Sequence, residues 1–172
     1  MERGSGMELN FRNNFFSSGM TEIVDGTGQE AGSIDLKSAF GTSLDIYGPS
    51  RDLVYSGKFR AFSGKWNVMD PGEEIVGIVR AKMSFFTKRY EYHAGSRGIY
   101  SITSPAFSKE YTIEDESGKV AATFTRTSGF FGPGSYRLDN LSSEVDSYEW
   151  IAVVMGVHSI QARQNNAANA AT

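Results

Sequence analysis

The chain has 172 residues, a formal net charge of −3, 40% hydrophobic residues and no cysteine. That is one domain's length of chain, with enough apolar surface for a sizeable core. A disulfide framework and thiolate chemistry are excluded, and an acidic total speaks against a general polyanion binder such as a nucleic-acid protein.

The start, "MERGSG" (residues 1–6), has no apolar stretch of the kind a secretory leader needs. It reads as an appended segment, with Met7 the natural start. The absence of cysteine fits a reducing, cytoplasmic setting. The longest apolar run, "WIAVVMGV" (Trp150–Val157), is far short of the roughly 20 residues that span a bilayer, so no transmembrane segment is expected.

From Phe11 to about Leu141 the chain reads as β-structure: short runs of Val, Ile, Thr, Phe and Tyr, broken by Gly, Asp, Pro and Ser. The first hairpin is "EIVDGTGQEAGSI". Its Gly26–Ala31 matches a G-x-G-x-x-A phosphate loop by letter, but such a loop must open a helix whose amides face the phosphate. The following "GSIDL" alternates like a strand, so a hairpin turn is expected. The second hairpin is "NVMDPGEEIVGIV" and the third "TIEDESGKVAATF". Their turn aspartates, Asp25, Asp70 and Asp115, stand 45 residues apart. Seven residues after each comes a small residue (Gly32, Gly77, Ala122), and nine after each an apolar one (Ile34, Val79, Phe124). Either a repeated hairpin in a curling sheet or chance recurrence in a turn-rich chain produces this spacing. Gly32 and Gly77 are expected where backbone or helix passes closely. The acids at Gly72–Glu74 and Glu114–Glu116 lack the alternating oxygen ligands of a calcium loop and read as solvated turns.

Between the second and third hairpins lies "KMSFFTKRYEY" (residues 82–92). It reads as a barrel strand with a bulge near Phe85–Phe86, which turns the rings inward and the cations outward. From Gly77 to Arg97 the cations are Arg80, Lys82, Lys88, Arg89 and Arg97, and the acid is Glu91. This segment carries +4 in a chain of −3, which leaves −7 elsewhere. The loop "SGFFGPGSY" (Ser128–Tyr136) sets Phe130 and Phe131 between glycines. These rings either fold back on the barrel mouth or insert in a bilayer surface.

The tail differs. "DSYEWIAVVMGVHSIQARQ" (Asp146–Gln164) has no turn signal and no period of two. Asp146 or Ser147 can cap a helix, and Glu149 suits its first turn. Its Val and Ile residues also suit a central strand, but no Gly-Asp turn cuts the stretch into strand lengths, so a helix is expected. Apolar on every side, such a helix must be buried on every side, and Gly156 lets another backbone approach. Residues 165–172 are small and polar and are expected to fray. His93 is expected at a strand end and His158 one turn from a helix end. No metal-ligand spacing accompanies either, and no nucleophile elbow is present. No catalytic residue, metal or cofactor is expected.

A long run of antiparallel strands closes into a barrel to remove its edges. Above about eight strands the interior is not filled by strand side chains alone. A hole and an all-apolar helix are both resolved if one is threaded through the other.

Here "WNVMDPGEEIVGIVRAKMSFFTKRYEY", "YTIEDESGKVAATF" and "EWIAVVMGVHSI" together resemble the LURP-one-related proteins, which share the tubby C-terminal-like fold with phospholipid scramblases. The resemblance runs from about Met7 to Ala162. It implies a mainly β protein: one closed antiparallel β-barrel of about twelve strands (7–164) around a buried hydrophobic C-terminal α-helix. It implies a non-enzymatic binding or scaffold role. In tubby relatives basic side chains on neighbouring strands hold a phosphoinositide, so the resemblance points to Lys82, Lys88 and Arg89, with Arg80, as ligands of anionic membrane lipid, and to a peripheral protein. Phe130 and Phe131 are the candidate membrane loop. The protein partner is unknown. A solvated face whose cations pair with neighbouring acids remains open, as does an enzyme or carrier using the barrel lumen for a small hydrophobic ligand.

Overall fold

The computed structural model describes residues 7–37, 42–82, 88–105 and 108–170. Its strands are β1 (Glu8–Phe11), β2 (Gly19–Asp25), β3 (Glu30–Leu36), β4 (Ser43–Tyr47), β5 (Leu53–Phe59), β6 (Trp66–Met69), β7 (Ile75–Lys82), β8 (Arg89–His93), β9 (Ile99–Thr103), β10 (Tyr111–Glu114), β11 (Val120–Thr127) and β12 (Ser135–Asn140). Each pairs antiparallel with the next, and β1 pairs with both β2 and β12. The result is a closed twelve-strand barrel with no free edge, as expected.

The aspartate repeat is structural. Asp25, Asp70 and Asp115 each turn one carboxylate oxygen onto the amides two and four residues ahead. The distances are 2.8 and 3.0 Å from Thr27 and Gln29, 2.9 and 3.0 Å from Gly72 and Glu74, and 2.9 and 3.0 Å from Ser117 and Lys119. Gly48–Asp52 and Ala94–Gly98 close with the same backbone bond but carry Gly48 and Ala94 where the other turns have their first aspartate. All five turns lie at one mouth of the barrel. The period of the fold is therefore one hairpin, and aspartate marks alternate copies. A carboxylate can satisfy turn amides that would otherwise need water.

The helix α1 (Ser147–Ala170) starts at that mouth, called lower here. Asp146 caps it, its carboxylate accepting the Tyr148 amide at 2.8 Å. The side chains from Trp150 to Met155, and Val157, are at most 1% exposed inside the barrel. Around them stand the inward residues of the strands, among them Leu9, Ile46, Trp66, Val79, Tyr92, Ile102, Phe124 and Leu138. The helix leaves through the upper mouth and continues to Ala170, so residues 165–170, expected to fray, are helical. His158 accordingly lies mid-helix rather than one turn from its end. Its ring lies 4.0 Å from that of Phe16 in the β1–β2 connection.

"KMSFFTKRYEY" is not one strand. β7 ends at Lys82, β8 begins at Arg89, and the two residues face each other across the ladder. The segment joins two hairpin arms, which is why neither of its faces alternates cleanly. The expected bulge at Phe85–Phe86 falls outside the described residues.

Candidate functional site

Alternation on β7 and β8 sends Val79, Tyr90 and Tyr92 inward and Arg80, Lys82, Arg89, Glu91 and His93 outward. Arg80 and Glu91 are opposed, as are Lys82 and Arg89. Glu91 is the hub of this patch. It accepts from Arg80 at 3.1 Å, approaches Lys82 at 3.2 Å, and meets His93 Nε2 at 2.9 Å. The His93 hydrogen bond, then those from Lys82 and Arg80, hold its carboxyl down to about 2. Two of the four candidate cations therefore have the acidic neighbour that a solvated face would supply. Lys88 and Arg89 are exposed at the upper rim and form no ion pair among the described residues.

The charge pattern is larger than this strip. At the upper mouth, the connections between strands and the emerging helix carry seven cations, Arg12, Lys37, Arg60, Lys65, Lys88, Lys109 and Arg163, against one acid, Glu110. Lys82 and Arg89 add to them from the strand ends. Lys37 is partly neutralised by Asp35 and Asp45, at 2.6 and 3.2 Å. At the lower mouth, residues 25–30, 48–52, 70–74, 94–98, 115–119 and 141–149 hold eleven acids against Arg51, Arg97 and Lys119. The barrel is thus an electric dipole along its axis. Sequence reading found one stretch of this and missed the rest, because the upper cations are spread along the chain from Arg12 to Arg163.

Beside the helix, the upper mouth opens a cleft of about 500 Å³ lined by Phe59, Lys65, Arg80, Ile160, Arg163 and Gln164 among others. Among the described residues its lining holds three cations, Lys65, Arg80 and Arg163, and no carboxylate. The Arg163 guanidinium lies 3.5 Å from the centre of the Phe59 ring and donates to the Ser63 carbonyl at 3.4 Å. Such a cleft suits an anionic group with an apolar shoulder.

Phe130 and Phe131 are four strands round the barrel from β8. Phe130 rests on Gly28 and is 54% exposed; Phe131 lies beneath Arg12, 4.4 Å from its guanidinium carbon. The loop folds back beside outward-facing Asn10, which is buried, rather than on the barrel mouth. The structure does not bring these rings together with the strip.

The lower mouth is tied shut where the helix begins. Arg97 donates to both carboxylate oxygens of buried Glu149, at 2.7 and 2.8 Å, and to the Val76 carbonyl at 3.1 Å. The Tyr92 hydroxyl also donates to Glu149. Burial first, then the Glu149 charge, pushes the Tyr92 hydroxyl well up from its ordinary value. Among the described residues no cluster of three or more His, Asp or Glu could hold a metal ion. No described helix is long and apolar enough to cross a membrane.

No protein-family model matches the chain, and no curated protein does. The barrel is similar to a solved structure. An X-ray structure of a protein from Arabidopsis thaliana, AT5G01750, superimposes with a TM-score of 0.62 over 92% of this chain and 93% of that one. At 12% identity the likeness shows a shared fold alone.

Proposed function

We propose that this chain is a non-enzymatic docking protein of the LURP-one-related type that binds anionic lipid headgroups through the upper mouth, as a peripheral protein at a cytoplasmic membrane surface. The observation that carries this reading is the charge separation along the barrel axis. A cationic mouth faces an anionic surface while the acidic mouth points to solution. Lys82, Lys88 and Arg89 lie on one side of that rim. At about 1 kcal/mol each they contribute roughly 3 kcal/mol, which is reversible docking. Arg80 lines the cleft and serves the same surface.

The runner-up, a lumenal enzyme or carrier, needs space along the barrel axis. The side chains from Trp150 to Val157 occupy that space, which favours the docking reading. A wrapped nucleic acid would meet the acidic mouth and is disfavoured for the same electrostatic reason.

The test is the triple change Lys82→Gln, Lys88→Gln, Arg89→Gln. It should abolish binding to vesicles of phosphatidylcholine and phosphatidylserine and leave the melting temperature nearly unchanged, since exposed cations contribute little to stability. A triple variant that fails to fold would show that these side chains hold the barrel together.

A further inference from the structure

We propose that Phe62, in the β5–β6 connection, is a membrane anchor that enters the headgroup layer once the cationic mouth has docked; this rests on the docking reading above. Phe62 is the most exposed large apolar side chain among the described residues, at 109% of its reference area. Its backbone has φ 56°, the left-handed region that a phenylalanine occupies only where the surroundings impose it.

The surroundings do impose it. Arg60 donates its amide to the Lys65 carbonyl at 2.9 Å, Ser63 to Arg60 at 3.2 Å, and Lys65 to the Ser63 hydroxyl at 3.2 Å. Arg163 of the helix ties down the Ser63 carbonyl. The base of the turn is fixed and its tip carries a bare aromatic ring. From Leu53 to Met69 the charges are Lys58, Arg60 and Lys65, with no acid. The turn stands next to the β7–β8 rim that holds Lys82 and Arg89. Three other exposed apolar side chains, Ile75, Ile99 and Leu141, lie toward the acidic mouth. A rigid aromatic tip within a ring of cations matches a bilayer whose headgroups are anionic and whose acyl region lies just beneath.

The experiment places tryptophan at the tip, Phe62→Trp. Trp66 and Trp150 are fully buried, so their emission is a constant background. With phosphatidylcholine–phosphatidylserine vesicles the new tryptophan should shift to the blue and be quenched by brominated acyl chains; with phosphatidylcholine alone it should do neither. Phe62→Gly should raise the melting temperature by releasing the left-handed strain and weaken partition into anionic vesicles about tenfold. If wild type and Phe62→Gly bind anionic vesicles equally and the tryptophan stays solvent-like, insertion is overturned while docking stands. If wild type ignores anionic vesicles at low salt, docking fails and insertion with it. A blue shift without lipid that grows with protein concentration would identify a second copy of the chain as the occupant and also overturn the proposal.

Discussion

Trp66 fills the groove that Gly156 leaves on the central helix. A Cβ built on Gly156 would lie 2.7 Å from Trp66 Cγ and 2.8 Å from its Nε1. On the other side the indole presses on Gly57 of the neighbouring strand, where a Cβ would lie 2.6 Å from Cζ2. One large ring is accommodated by two absent side chains, one on the wall and one on the helix. This contact fixes both the height and the rotation of the helix in the lumen.

Gly156→Val should therefore destabilise the fold by about 3 kcal/mol or more, because neither a helix inside a barrel nor a fully buried indole can move aside. Gly77→Val should be comparably costly, since its Cβ would meet the Tyr92 ring. Gly64→Val is the control: nothing lies within 4 Å of its Cβ position. Urea unfolding measures all three, and equal tolerance would dissolve the packing argument.

Arg97→Gln removes both donors from a carboxylate that is almost fully buried. Glu149 would keep the Tyr92 hydroxyl but lose its counter-charge. The expected loss is about 3 to 5 kcal/mol. Tyr92→Phe should cost less, about 1 to 2 kcal/mol, because the charge pair survives. The ranking of the two variants in urea midpoint is the check.

Acid should unfold the barrel in two windows. Burial, and then the nearby Lys109 charge, lowers His158 from 6.5 to about 4. Between those values the unfolded chain takes up a proton that the folded chain refuses. Stability thus falls as pH drops through this window, by on the order of 2 to 3 kcal/mol, and is fully present above it. Glu91, held down to about 2 from 4.5, adds a second loss below pH 4.5, where its ion pairs are protonated away. His158→Gln should flatten the upper window and leave the lower one. A pH series of melting temperatures reads both.

The helix is core rather than an appendage. Val154→Asp should cost about 4 kcal/mol or abolish folding, since it buries an unpaired charge. A chain ending before Asp146 should be insoluble or lack cooperative melting.

The barrel and its threaded helix were legible because two periodicities change sharply near residue 146. The aspartate turns were legible because aspartate satisfies amides at fixed offsets. The sequence shows a period of 45 rather than single hairpins because Gly48 and Ala94 close their turns with backbone bonds that leave no side-chain signature. "KMSFFTKRYEY" reads as one strand in the sequence because its aromatic residues favour β-structure and no glycine or proline marks the break. In the sequence Glu91 is one acid among five cations. Its role as the hub for Arg80, Lys82 and His93 depends on the β7–β8 register. The basic mouth was largely invisible, since Arg12, Arg60, Lys109 and Arg163 are joined only by the barrel's closure. Phe62 gave no signal, because the left-handed backbone that exposes it is a property of the turn.

The most direct measurement of the central claim is co-sedimentation of the wild-type chain with vesicles of different headgroups at two salt concentrations. Docking through the cationic mouth predicts that the protein pellets with phosphatidylserine-containing vesicles at low salt and stays in solution with pure phosphatidylcholine. It also predicts release from the anionic vesicles as salt rises, because charges more than about 10 Å apart are screened at 0.1 M. A protein that remains in the supernatant with anionic vesicles at low salt would contradict the account.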